Sequence, residues 1–88
     1  MSIDIVVKSR QEVTLAAFEK VEMGTTVQDF KKMFLEKCEY AKKKKLYPAR
    51  LRFTVNEASG TPMTDPTKTL NHYIEAPSVT LYFKDLGP

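Results

Sequence analysis

The sequence contains few residues of the types that carry out catalysis, and they are scattered along the chain. His72 is the only histidine and Cys38 the only cysteine, so neither a Cys/His zinc cage nor an internal disulfide can form. A nucleophile needs a base beside it and an acid that orients the base, but the neighbours of His72 are Asn71 and Tyr73. The sequence therefore predicts no nucleophilic catalysis and no metal site.

Motifs for cofactor binding and acid–base chemistry are also missing. The three glycines, at 24, 60 and 87, are too far apart to make a phosphate-cradling loop such as G-x-G-x-x-G. Asp65 and Asp85 lack the spacing that pairs two carboxylates for acid–base work. We expect a non-catalytic chain with no cofactor of its own. We interpret Cys38 as a small buried hydrophobic residue rather than a reactive thiol.

The strongest functional signal is a basic segment. Residues 31–52 contain nine Lys or Arg and two Glu, a net charge of +7, whereas the rest of the chain carries −4. This asymmetry predicts a positive face suited to anionic lipid, nucleic acid or an acidic partner. The alternative is an ordinary solvated helix end and loop. The residues expected to contact an anionic surface are Lys42, Lys43, Lys44, Lys45, Arg50 and Arg52.

These residues belong to a chain with the composition of one small globular domain. It has 88 residues, 42% of them hydrophobic and 28% charged, which is typical of an ordered domain. No apolar run approaches the roughly 20 residues of a membrane-spanning helix, and the N-terminus lacks the apolar block of a signal peptide. We expect a soluble domain in a reducing compartment.

Alternation of apolar and polar residues predicts four strands, near residues 3–7, 13–17, 51–55 and 79–83. The first two are close enough to form a hairpin. Met63 is expected to anchor a very short extra strand, and Pro48 to hold the preceding Tyr47 extended. Tyr47 and the outward-pointing Tyr82 are expected either to cap a sheet edge or to contact a partner.

One long helix is predicted to begin after Thr26, whose hydroxyl caps the first turn. Its apolar stripe comprises Val27, Phe30, Phe34, Cys38 and Ala41. Lys31 is expected on the opposite, solvated side. Residues 69–74 predict a single helical or 3₁₀ turn. The hydrophobic stripes of these elements make a two-layer α+β domain, with a mixed sheet of four to five strands packed on one main helix.

This element order is that of the ubiquitin-like β-grasp, and two segments, residues 26–31 and 69–74, resemble ubiquitin. Three further segments resemble the N-terminal part of very-long-chain trans-2-enoyl-CoA reductases. They are Lys20-Val21-Glu22, Tyr47-Pro48-Ala49-Arg50 and Leu81-Tyr82-Phe83-Lys84-Asp85-Leu86-Gly87. This resemblance covers essentially the whole chain.

The resemblance implies that residues 1–88 are a single ubiquitin-like domain excised from a longer membrane protein. The parent would lie in the endoplasmic reticulum membrane with this domain on the cytosolic face. It would use NADPH to reduce 2-enoyl-CoA in fatty-acid elongation, and the domain would serve docking or regulation. Implied partners are the rest of its own chain, elongation partners and anionic lipid headgroups, with nucleic acid disfavoured. The alternative is a free-standing ubiquitin-like adaptor or a nucleic-acid-binding module.

The sequence departs from both resemblances at specific places. The run Lys42–Lys45 lengthens the loop after the helix relative to the reductases. Arg52 stands on the outward side of the third strand, where ubiquitin has part of its apolar recognition patch. The chain reads Leu86-Gly87-Pro88 rather than Gly-Gly. We therefore expect neither binding to ordinary ubiquitin receptors nor conjugation to other proteins.

Overall fold

A computed structural model describes residues 2–57 and 59–87. Four strands, three α-helices and one 3₁₀ helix follow one another along the chain. In order they are β1 (Ser2–Lys8), β2 (Thr14–Glu22), α1 (Val27–Lys37), α2 (Glu39–Lys43), the 3₁₀ helix (Pro48–Arg50), β3 (Leu51–Val55), α3 (Leu70–Tyr73) and β4 (Ser78–Asp85).

The four strands form one mixed sheet in the order β2-β1-β4-β3. β1 pairs with β2 as the predicted antiparallel hairpin and with β4 in parallel, while β3 pairs with β4 antiparallel. β4, the last strand, is therefore an inner strand. The predicted α+β architecture is confirmed, with four strands among the described residues.

The alternating residues of the strands pack against α1, as the patterns predict. Phe30 of α1 meets Phe18 of β2 and Phe53 of β3, with ring centres 5.1 and 5.4 Å apart. Phe34 lies 5.2 Å from Phe53. These are edge-to-face contacts, which add to the energy of burying each ring. The helix and β3 are thus fixed against each other.

Helix α1 begins where the sequence predicts but ends earlier. The Thr26 hydroxyl accepts a hydrogen bond of 3.1 Å from the Asp29 amide, which confirms the cap. The single helix expected through Ala41 is interrupted at Cys38, whose backbone is extended. Cys38 at this break and Ala41 beyond it are both buried, so the apolar stripe is preserved although the helix is not continuous.

Two other expectations are wrong in detail. Lys31, expected in solvent, is only 7% exposed, and burial first, then the nearby charge of Arg52, lowers its pKa. No strand forms around Met63 in the described part of the chain. Instead Met63 is buried and its amide donates to the Phe53 carbonyl at 2.8 Å, beside an isolated bridge from Pro62 to Thr54.

Candidate functional site

The structure divides the six predicted anion-contacting residues among three places. Lys42–Lys45, here called the lysine loop, ends α2 and is exposed throughout. Lys45 has a positive φ of 53°, and the buried Leu46 that follows donates its amide to the Ala41 carbonyl at 3.0 Å. The loop is therefore anchored at its base while its ammonium groups point into solvent. Lys42 also lies 3.7 Å from the Glu39 carboxylate.

Arg50 is engaged inside the domain rather than presented to a ligand. Its Nε and Nη2 donate to the two carboxylate oxygens of Asp85 at 3.0 and 2.8 Å. Such a two-pronged pair is stronger and more directional than a single hydrogen bond. The Leu86 amide also donates to the Arg50 carbonyl at 2.8 Å. Arg50 thus holds the end of β4 to the start of β3.

The same cluster lowers the pKa of Asp85. The Gly87 amide, which donates to Asp85 Oδ1 at 2.9 Å, is the largest cause, followed by the Arg50 hydrogen bonds. The charge of Lys44 contributes as well. Helix α2, which leads into the lysine loop, packs beside the end of β4, since the Tyr40 ring centre lies 6.5 Å from that of Phe83.

Arg52 lies elsewhere, on the face of the sheet turned away from α1. It stands directly opposite Lys84 in the register of β3 and β4, and Thr54 stands opposite Tyr82. Arg10, in the turn after β1, lines a depression of about 80 Å³ together with Thr54, Tyr82, Phe83 and Lys84. We call Arg10, Arg52, Thr54, Tyr82 and Lys84 the sheet patch.

Arg10 and Lys84 were not among the residues expected from the sequence. Alternation along β4 was sufficient to place Lys84 outward, beside Tyr82 and Thr80. The register that sets Lys84 against Arg52, however, joins residues far apart in sequence, and the strand patterns alone do not specify it.

Tyr82 does not cap a sheet edge, because β4 is an inner strand. Its hydroxyl donates to the Glu12 carboxylate, 2.7 and 2.8 Å from the two oxygens, and Glu12 chiefly raises the pKa of Tyr82. Glu12 also lies 3.7 Å from Lys8. Tyr47 is extended before Pro48 as predicted, is 48% exposed, and has the Arg50 guanidinium 6.0 Å from its ring centre.

The remaining candidates for chemistry are held apart. His72 is exposed on α3, with its ring against Tyr73, whereas Cys38 is buried. Within residues 2–57 and 59–87, no three His, Cys, Asp or Glu side chains are grouped so as to hold a metal ion. No helix in these ranges has the length and apolar character needed to span a membrane.

Two solved structures similar to this chain are described as a ubiquitin-like domain and as a design based on ubiquitin. The ubiquitin-like domain of an Arabidopsis thaliana protein, determined by solution NMR, matches with a TM-score of 0.70 and 17% sequence identity over 99% of this chain and 80% of that one. A de novo designed protein based on ubiquitin matches with a TM-score of 0.67 and 21% identity, over 99% and 92% of the two chains. The chain thus has the ubiquitin-like β-grasp fold predicted from its sequence.

Comparison of the amino-acid sequence with known proteins assigns the chain to no family. No protein-family model matches the chain, and no curated protein matches it. Neither structural neighbour is named as an enoyl-CoA reductase. These comparisons identify the fold of the chain.

Proposed function

We propose that this chain is a non-catalytic, cytosolic ubiquitin-like docking domain of an enoyl-CoA reductase in the endoplasmic reticulum membrane. Its lysine loop would face the anionic headgroups of that membrane. The observation that carries the proposal is the position of the lysine loop at the end of α2, which packs beside the end of β4, with the Tyr40 ring centre 6.5 Å from that of Phe83.

The segments that resemble the reductases support the proposal because two of them bind each other. Residues 47–50 supply Arg50, and residues 81–87 supply Asp85, Leu86 and Gly87. The third segment bends β2, where Lys20 has a positive φ of 54° and donates its amide to Asp4. Two of the three segments that resemble the reductases are therefore in contact in the fold, rather than being unrelated positions on the surface.

The electrostatics of a tethered lysine loop favour a defined orientation. A basic residue near an anionic bilayer gains about 1 kcal/mol, and this gain falls off within a Debye length of about 8–10 Å. Four exposed lysines at the end where β4 finishes would meet that condition if the chain continued into a membrane. Arg50 contributes to holding this end rather than to the lipid contact.

The parent is tested by the encoded sequence after Pro88. We expect several apolar stretches of about 20 residues each. A stop codon at that point would contradict the reductase assignment and favour a free-standing ubiquitin-like adaptor. Activity of the 88-residue chain is a second check. The proposal expects no NADPH oxidation with any 2-enoyl-CoA, and turnover would overturn the non-catalytic assignment.

The lipid contact is tested by co-sedimentation with phosphatidylserine vesicles and with neutral ones. We expect binding to the anionic vesicles only, decreasing with salt. The triple variant K43Q/K44Q/K45Q should lose more than about tenfold in affinity. A matched variant, K20Q/K32Q/K68Q, removes three exposed lysines from other places. It should bind the anionic vesicles with nearly the affinity of the unmodified 88-residue chain.

Equal losses in the two triple variants would show that total charge, not the lysine loop, governs binding. Tighter binding of duplex DNA than of vesicles at the same salt would favour the nucleic-acid alternative instead. Both triple variants should have a thermal midpoint within a few degrees of that of the unmodified 88-residue chain, because their changed side chains are solvent-exposed.

A further inference from the structure

The outer face of the sheet contains an unbalanced pair of positive charges. Arg52 and Lys84 are directly opposite each other on adjacent antiparallel strands, where β-carbons lie about 4.5–5.5 Å apart and like charges destabilise the pairing. The ion pairs formed within residues 2–57 and 59–87 include neither side chain. An anionic partner would relieve this repulsion.

A third cation, Arg10, lies beside the Arg52–Lys84 pair. Arg10 shares the 80 Å³ depression with Lys84. Lys84 therefore has two positive neighbours, Arg52 across the strand pair and Arg10 in the depression. The hydroxyls of the patch are already in use, since Thr54 donates to the Glu57 carbonyl at 2.7 Å and Tyr82 donates to Glu12. Recognition at the sheet patch must therefore rely on charge.

A groove beside the sheet patch offers room for more than an isolated anion. It has a volume of about 370 Å³ and shares Arg10, Phe83 and Lys84 with the smaller depression. Leu15 and Tyr40 add apolar surface to its lining, and Tyr40 is 44% exposed. Asp85 also lines the groove, but its carboxylate is held by Arg50. The groove thus combines apolar contacts with basic residues.

Acidic residues limit the size of the positive area. Glu12 lies against Tyr82 and Lys8, and Glu57 lies next to Thr54, whose hydroxyl donates to the Glu57 carbonyl. A nucleic-acid strand or an anionic bilayer would have to extend over these carboxylates, which repel it. A short peptide can place its carboxylates on Arg10, Arg52 and Lys84 alone.

We propose that the sheet patch and its adjoining groove bind a short acidic peptide segment of a protein partner, one that carries an apolar residue next to its carboxylates. The sheet patch and its groove share no residue with the lysine loop, so the inference goes beyond the lipid contact proposed above. The apolar residue would contact Leu15 and Tyr40, which are both accessible to solvent.

The test is an NMR titration of the ¹⁵N-labelled 88-residue chain with a capped peptide, Gly-Glu-Glu-Leu-Glu-Gly, at about 50 mM salt, where surface charges are weakly screened. We expect saturable shifts centred on residues 10, 52–54 and 82–84. The variant R52Q/K84Q should weaken binding roughly fivefold or more, as expected for two partly exposed charge contacts. The charge-matched variant K43Q/K45Q should change it less than about twofold.

Further arms separate the possible outcomes. A peptide with glutamine in place of glutamate should not bind, and K84E, at an exposed position, should weaken binding more than K84Q. Equal losses in the two double variants, or shifts centred on the lysine loop, would overturn the proposal. So would a larger effect of R52Q/K84Q on binding to phosphatidylserine vesicles or duplex RNA than on the peptide. Vesicle binding that depends only on the lysine loop leaves the two proposals independent.

Discussion

Arg50 and Arg52 are two residues apart in the sequence and differ completely in their surroundings. Arg50 precedes β3 and meets the Asp85 carboxylate at the end of β4. Arg52 meets Lys84, the residue just before Asp85. One arginine stabilises the fold, and the other leaves a positive charge for a partner. The difference arises because Arg50 lies in the 3₁₀ helix that precedes β3, where its side chain reaches Asp85, whereas Arg52 lies within β3 directly opposite Lys84.

The largest effect should come from removing the side chain that fixes β3 against the helix. Phe53 follows Arg52 directly and packs on Phe30 and Phe34. The substitution F53A should lower the free energy of unfolding by about 3–5 kcal/mol, the usual cost of a phenylalanine-sized cavity. Urea unfolding followed by circular dichroism measures this.

Both arginine environments depend on that strand, so F53A should disturb each of them. The surface variant T67A is a suitable control for the unfolding measurement, since Thr67 is exposed and its hydroxyl donates to Asp65, two residues before it. A loss below about 1 kcal/mol for F53A would contradict the packing described for the core.

A smaller effect should follow when Arg50 is separated from Asp85. The variant R50Q keeps a polar side chain but loses the two-pronged contact. We expect the thermal midpoint to fall by roughly 2–5 °C, as for a partly exposed ion pair. R52Q should not lower it. Equal destabilisation by R50Q and R52Q, measured by calorimetry, would contradict the distinction between the two arginines.

The pH dependence should report the same contact. The pKa of Asp85 is lowered in the folded chain, by the Gly87 amide first and Arg50 next. A lowered pKa means that the stabilisation is complete above the ordinary aspartate value of about 3.9 and is lost as pH falls through the folded value. D85N should therefore melt below the unmodified chain at pH 7, and the two thermal midpoints should converge as the pH falls through the lowered pKa of Asp85.

Another carboxylate provides the internal reference for this experiment. Hydrogen bonds from Thr67 chiefly lower the pKa of Asp65, so its contribution to acid sensitivity is present in both proteins. A difference in thermal midpoint between D85N and the unmodified chain that stayed constant from pH 7 to pH 2 would show that Asp85 stabilises the fold through packing rather than through its charge.

The smallest expected effect is an increase in thermal stability. K84E places a carboxylate opposite Arg52, replacing repulsion with a cross-strand attraction. We expect the thermal midpoint to rise by roughly 1–4 °C at low salt, and the gain should disappear near 1 M salt because of screening. K68E, at an exposed lysine in the loop before α3, is the control. A fall in the midpoint for K84E would mean that the two cations do not repel.

Local patterns along the chain were sufficient for most of the fold. The Thr26 cap, the extended backbone before Pro48 and the buried Cys38 each follow from a few neighbouring residues. The strand alternations likewise separated inward from outward positions, including Arg52 and Tyr82. The basic segment at residues 31–52 was visible from composition alone.

Tertiary structure decided what those charges do. The sequence by itself determined that the chain has a positive segment and an α+β core, because periodicity and charge are local properties. It did not determine that Arg50 meets a carboxylate 35 residues away, that Lys31 is buried, or that Lys84 faces Arg52. The contacts of Arg50 and Arg52 depend on the register between β3 and β4, which are distant in sequence, and the burial of Lys31 depends on how α1 packs in the fold. That register is chosen by the packing of both layers together, not by any single segment.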